Sequence, residues 1–450
     1  MLSFAWFSRT TGSASRTRSV HSDSPSRSRL QRWQIGGAAV ILMIAATATG
    51  TAYADPKDAA AKKGGIQITM IQIGDIHGHL IPRPRLRPDD GVDTNEGGLA
   101  RLYTRIEDIR ARNKNAMLFN VGDTIQGSAE ALYTRGQALI DVLDHFGIDG
   151  MAPGNWDYVY GKDRFLELFG PGTGTGPSGT RYGAVAANVY HAGTTNLLLP
   201  PYFVQNVNGV KIGVLGLSSE RAVNAIGPFI TTGIDFTDHA EEVPVYVEIL
   251  KNKEKVDLIV LVSEFGLAKN VLIANDNPDI DVVMSADMHE ETPQAIVADS
   301  GAIVSEVGQD GTRLAELHLV IRPGKGGKRI ASWNYTWHEI NPSIRPNLKI
   351  AGLIRRIRAP FVAGPFLRPH INPINGTVLN TPINKVVGYT SIDLYRGNFS
   401  DHPIPGVLEG SSSDFYSDVF RDQAGADIGH FRGFRYGTRV RPGPIQLEDI

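Results

Sequence analysis

Two hydrophobic rhythms alternate along the chain from Ile66 onward. Short, almost wholly apolar runs end abruptly in polar residues: "IQITMIQIGD", "AMLFNVGD", "VKIGVLGLS", "VDLIVLVSE", "IDVVMSAD", "AIVSEVGQ" and "LAELHLVIR". Runs of this kind predict strands buried on both faces. Between them, "GGLARLYTRIEDIRAR" sets Leu99, Leu102, Ile106 and Ile109 on one face of an amphipathic helix, and a second helix is predicted from about Ala129 to Phe146. Strands alternating with helices predict an α/β domain. "GPGTGTGPSG", from Gly170, has neither the Lys nor the following helix of a phosphate cradle and reads as a flexible surface loop. After Ile340 the rhythm breaks. "NPSIRPNLKIAGLIRRIRAPF" predicts an interdomain helix, followed by a Pro-rich connection and a new segment from about Val378.

Polar residues with metal-binding chemistry sit where the apolar runs end: Asp75, Asp123, Asn155, Glu264 and Asp287. In open α/β sheets, ligands bind beyond the carboxyl ends of the strands. These five tips are therefore expected to converge on one site.

Composition narrows the chemistry. The 450 residues are 42% apolar and 20% charged, as in ordinary globular proteins, and a chain of this length predicts two domains. Cysteine is absent, which excludes disulfides, thiolate metal sites, cysteine nucleophiles and a lipid-modified cysteine anchor. The basic stretch ending in "RSRLQRW", the apolar "IGGAAVILMIAATATG" and the small-residue step at Ala52–Ala54 fit an export signal over residues 1–54, giving a periplasmic or secreted protein. Gly and Thr dilute the apolar run, which argues against a stable membrane span. Residues 55–450 carry 39 basic and 46 acidic side chains, a net charge of −7. No basic excess exists to neutralise the phosphates of a nucleic acid strand.

In "GDIHGH", Asp75 and His77 lie at alternate positions beyond a strand and can face one ion. "NVGDTIQGS" places Asp123 after Gly122, and "APGNWD" supplies the amide oxygen of Asn155. With "GGLARL", "AANV", the late His289 of "SADMHEET" and "VGQDGTRLAELHL", this order of motifs resembles the calcineurin-like metallophosphoesterases. Within them it resembles the exported 5′-nucleotidase branch and its relative, the sulfur-oxidation thiosulfohydrolase. The resemblance implies a two-sheet αββα sandwich metallophosphoesterase domain over 55–340. An interdomain helix and linker over 341–377 and an incomplete α+β 5′-nucleotidase C-terminal domain over 378–450 would follow. It also implies two divalent ions bridged by Asp123. Asp75, His77, Asp123 and His289 would hold the first; Asp123, Asn155, Glu264 and Asp287 would hold the second.

Three positions depart from the family pattern. Glu264 and Asp287 stand where it has histidines, and Trp156 stands where "Gly-Asn-His" carries its acid. Carboxylates are themselves competent ligands, and an oxygen-rich site favours Mn²⁺, or Mg²⁺, with Fe and Zn as further options. Four ionised carboxylates would cancel the charge of two divalent ions. Trp156 has one N–H donor and no proton to give, so it can bind an oxyanion or stack on substrate but cannot act as a general acid. His79 either supplies that proton or is a polar loop residue, and Asp157 is expected to order the turn. Arg435, beside Arg432, falls at the substrate-contacting position of the C-terminal domain, although "GHFRGFR" replaces its usual approach. The expectation is a hydrolase in which a metal-bridged hydroxide attacks a small phosphate ester of nucleotide type, with Asp123, Asn155 and Trp156 at the reacting centre. The alternatives are a thiosulfohydrolase-like sulfur-ester hydrolase, or a metal-binding protein on a retired hydrolase domain.

Overall fold

The computed structural model describes residues 64–86, 92–171, 182–324, 327–395, 410–430 and 439–450. The proposed export signal, the loop at 172–181 and both Arg432 and Arg435 lie outside them. In chain order, β1 (Ile66–Gly74), β2 (Ala116–Val121) and β3 (Gly150–Ala152) run parallel in one sheet. The second sheet holds β4 (Tyr202–Val207), β5 (Val210–Leu217), β6 (Leu258–Ser263), β7 (Val282–Ser285), β8 (Ile296–Val297) and β9 (Ile303–Glu306). Two long strands, β10 (Arg313–Gly324) and β11 (Gly327–Glu339), return to the first sheet, giving the order β11-β10-β1-β2-β3. The order of the second sheet is β8-β9-β7-β6-β5-β4.

Residue parity along each strand builds the layers. Ile68 and Met70 of β1, Met117 and Phe119 of β2, and Val260 and Val262 of β6 face the other sheet and fill the space between them. Their neighbours Ile71, Ile73 and Leu118 face helices Leu99–Arg112 and Gln137–Leu143. Ile259 and Leu261 face the helices on the far side of the second sheet. The result is the αββα sandwich. Polar contacts also cross between the sheets: Gln72 donates to the carbonyls of Ser285 (2.8 Å) and Ser305 (3.3 Å) and accepts from Ser305 Oγ at 2.6 Å.

The helix expected over Ala129–Phe146 is two helices, Ala129–Thr134 and Gln137–Leu143. Arg135 (φ 51°) and Gly136 (φ 83°) are left-handed between them, and Gly136 lies against Ile125, so the chain turns where a continuous helix would drive a side chain into that residue. The helix Leu348–Arg358 buries Ile350 and Ile354 in the same core as Leu99–Arg112. Further on, Val386–Thr390 pairs with Gly443–Gln446, and Arg83 bonds Asp449 (3.1 Å) and Glu448 (3.3 Å). No helix among the described residues is long and apolar enough to cross a membrane.

Candidate metal centre

The carboxyl ends of β1, β2, β3, β6 and β7 meet at the seam between the sheets, each delivering one loop. The first two loops lie side by side. Asp75 N–H donates to the carbonyls of Val121 and Gly122, His77 N–H to that of Asp123 (2.8 Å), and Gly78 N–H to that of Thr124 (3.1 Å). In these loops Asp75 (φ 47°), His77 (φ 47°) and Asp123 (φ 41°), and in the loop after β7 Asp287 (φ 93°) and His289 (φ 61°), have positive φ in the left-handed region. L-residues adopt that region at a cost of about 1 kcal/mol or more, and such strain concentrates at functional sites.

Two overlapping groups of ligand atoms result. Asp75, His77 and His289 form one; Asp75, Asp123 and Glu264 form the other, and within each group the atoms lie within 4.8 Å of one another. All five side chains are buried. Gln126 Oε1 lies 3.2 Å from His77 Nδ1 and accepts its proton, so that Nε2 is the ring nitrogen turned into the site. That Nε2 is 3.0 Å from His289 Nε2, and both are 3.5 Å from Asp75 Oδ1.

Glycines make the second group possible. A Cβ on Gly122 would lie 2.0 Å from Glu264 Oε1, and one on Gly154 would lie 2.2 Å from Asp123 Oδ1. Asp123 Oδ1 accepts from the Trp156 backbone N–H at 2.7 Å. The Asn155 amide lies against the same carboxylate: with its nitrogen turned inward it donates to Asp123 Oδ2 at 2.8 Å, and with its oxygen inward it adds a ligand. Asp157 orders this turn as expected, since its carboxylate accepts from the N–H groups of Thr124 (2.8 Å), Ile125 (3.3 Å) and Gly154 (3.0 Å). The "AANV" motif contributes at one remove: Asn188 bonds the Ser218 backbone in both directions, and Ser218 Oγ bonds Tyr158 Oη at 2.9 Å.

The electrostatics of the two groups call for a cation. Burial, with the Asp75 and Asp157 charges and despite His77, lifts the Asp123 carboxyl to about 8. Burial and the neighbouring Asp123 and Asp75 push Glu264 well above its usual range. Burial also acts against charge on Asp75 and His77, but there pairing outweighs it. His289 and His77 hold Asp75 below its usual value, while Asp75 and Asp123 raise His77 to about 9. Among the described residues, neither oxygen of the fully buried Glu264 has a hydrogen-bond donor. Orphaned buried acceptors of this kind are costly unless a cation takes them. The residues therefore fit divalent metal ions.

Asp287 is placed differently from the other predicted ligands. Its backbone N–H donates to Asp75 Oδ2 at 3.2 Å, but its carboxylate is bonded by Arg221 and belongs to neither group. His79 pairs with Asp310 at 3.1 Å and lines a cavity of about 120 Å³ beside His77. Trp156 is half-buried. Gln126 and Arg221 carry no motif that names them. The signal available for Arg221 was its place in the turn after "VKIGVLGLS", another parallel strand ending on the same side.

The model of the calcineurin-like phosphoesterase family matches residues 68–291, a span that contains every ligand just described. This segment is a calcineurin-like phosphoesterase domain. Over 301 residues the chain is 28% identical to a probable 5′-nucleotidase of Treponema pallidum, covering 62% of this chain and 49% of the relative. A 5′-nucleotidase of Vibrio cholerae is 29% identical over 237 residues, 52% of this chain and 39% of that one. The chain spans about half or less of the length of these curated relatives. Two solved structures share the fold, each covering 85% of this chain. They are a 5′-nucleotidase precursor of Thermus thermophilus (TM-score 0.66, 20% identity, 73% of that chain) and the sulfate thiohydrolase SoxB of the same organism (TM-score 0.68, 17% identity, 72%). The phosphoesterase domain and the sandwich thus agree with the resemblance carried by the motifs.

Proposed function

We propose that this chain is an exported, metal-dependent phosphoesterase that hydrolyses a small phosphate ester of nucleotide type. The observation that carries the proposal is Glu264: a fully buried carboxylate, without donors among the described residues, facing Asp75 and Asp123. Two divalent ions, Mn²⁺ by preference, would supply Lewis acidity to a phosphoryl oxygen and activate a water. Asp75, His77 and His289 are grouped to hold one; Asp123 and Glu264, with Asn155 beside them, are grouped to hold the other. Asp75 is common to both groups, and Asp123, the bridge that the family resemblance implies, lies 3.8 Å from His77 Nε2 and is positioned by the Trp156 N–H. The Trp156 indole has a hydrogen bond to offer a leaving oxygen but no proton. Esters with good leaving groups are therefore the favoured substrates, because loss of general acid catalysis costs about 10²–10⁴-fold with poor ones. The similarity to 5′-nucleotidases supports the nucleotide class, and the N-terminal pattern supports export.

Phosphate release with Mn²⁺ tests the proposal, using nucleoside monophosphates, a 2′,3′-cyclic nucleotide and an aryl phosphate. Turnover of at least one ester is expected, together with its loss and that of metal binding in Asp123→Asn. Full activity in Asp123→Asn would refute the assignment. Thiosulfate release from a cysteine-S-sulfonate peptide, without phosphate release from any ester, would replace it with the sulfur-ester reading.

A further inference from the structure

Arg221 introduces a cation into the ligand set that the motifs do not anticipate. It follows β5 and opens the short helix Ala222–Ile226, with a side chain 40% exposed. From that edge its guanidinium reaches inward and bonds the carboxylate of the buried Asp287. Both terminal nitrogens also lie 3.1 Å from Met288 Sδ. Gly266 leaves room for this arrangement: a Cβ there would lie 2.7 Å from Met288 Cγ and 3.7 Å from Arg221 Nη2.

The guanidinium bonds Asp287 Oδ2, so that oxygen and the charge of the carboxylate are engaged away from an ion. The Asp287 backbone is nevertheless fixed at the site, through its N–H bond to Asp75 Oδ2. Asp287 therefore stands beside Asp75, the residue common to both groups, with its carboxylate held by Arg221. Charge points the same way. With Asp287 neutralised by Arg221, three carboxylates remain to offset two divalent ions, so the last ion to bind meets a less negative site than four carboxylates would give and leaves the loaded centre net positive.

Resting on the metal-centre reading above, we propose that Arg221 and the second divalent ion compete for Asp287. One ion binds tightly at Asp75, His77 and His289. The other binds weakly, because its full ligand set is released only when Arg221 swings away. The freed guanidinium, half in solvent and beside the ions, is then available to an anionic substrate.

Mn²⁺ titration by calorimetry, with elemental analysis for stoichiometry, tests this without reference to turnover. Wild-type protein is expected to show one tight and one weak site. In Arg221→Gln the tight site stays as it is, and the weak site tightens by about tenfold to a hundredfold, the worth of one charged hydrogen bond. In the double variant Arg221→Gln/Asp287→Asn that gain disappears, because the carboxylate in dispute is gone. An unchanged or weaker second site in Arg221→Gln, with the thermal midpoint preserved, would overturn the competition while leaving the metal centre intact. Failure of the wild type to bind any Mn²⁺ would overturn the metal-centre reading and this inference with it.

Discussion

Replacing Gly122 by alanine tests whether close backbone approach builds the second group of ligands. Gly122 has φ 52°, where a side chain costs about 1–2 kcal/mol. The new Cβ would sit 2.0 Å from Glu264 Oε1 and 2.5 Å from the backbone nitrogen of Gly154, against ordinary contacts of 3.4–4 Å. Glu264 must therefore retreat by more than an ångström or the Gly154 turn must shift. Overpacking of this sort adds about 1–3 kcal/mol. The total, about 2–5 kcal/mol, corresponds to a fall of roughly 2–6 °C in melting midpoint for a folded chain of this size. Gly193→Ala is the control, because Gly193 has φ 71° and nothing within 4 Å of its would-be Cβ, so it incurs the conformational cost alone. Calorimetric melting compares the stabilities, and Mn²⁺ titration should show Gly122→Ala weakened about 10–100-fold at the ion served by Glu264, as for other displaced ligands. Should Gly122→Ala match Gly193→Ala in both melting and Mn²⁺ affinity, the close-approach argument fails.

Asp157→Ala strands three backbone N–H groups in the turn beneath Asp123 and should lower stability by about 3–6 kcal/mol in urea unfolding. Asp157→Asn, which keeps the Oδ1 acceptor for two of them, should lose about half as much or less, and equal losses would contradict the assigned bonds. Far from the centre, burial raises the Asp281 carboxyl to about 6, so the fold keeps a proton that the unfolded chain has released. Its contribution is fully present below about pH 4 and is lost as pH rises through 6. Relative to wild type, Asp281→Asn should therefore gain stability between pH 4 and 6 in urea titrations; a pH-independent difference would count against it.

Most of the sandwich was legible because its strands are buried on both faces and end in polar residues, so the apolar runs mark both the elements and their functional ends. The same rule marks Asp75, Asp123, Asn155, Glu264 and Asp287, while His77 and His289 come from the motifs around those ends. The break at Arg135–Gly136 was less visible, since "ALYTRGQAL" keeps its apolar spacing through a glycine and the turn depends on the contact with Ile125. Arg221 was hidden for a different reason. An arginine in a polar turn looks like solvated surface, and only the folded chain shows its guanidinium on Asp287. The contrast between Asp157 and Asp287 has the same origin. Asp157 bonds neighbours within its own turn and across to the adjacent loop, a pattern that local turn chemistry anticipates. The partner of Asp287 comes from another strand end.

The placement of the ligands at the seam has a mechanical consequence. Asp75, His77 and Asp123 belong to one sheet, Glu264 and His289 to the other, and between them runs the apolar interface of Ile68, Met70, Phe119, Val260 and Val262. An ion held by both sets acts as a rivet. It resists the sliding or parting of two layers that dispersion forces and hydrogen bonds such as those of Gln72 would otherwise keep in register. Metal loading in this protein is then also a lock on tertiary structure, one that closes only after distant parts of the chain have already found each other.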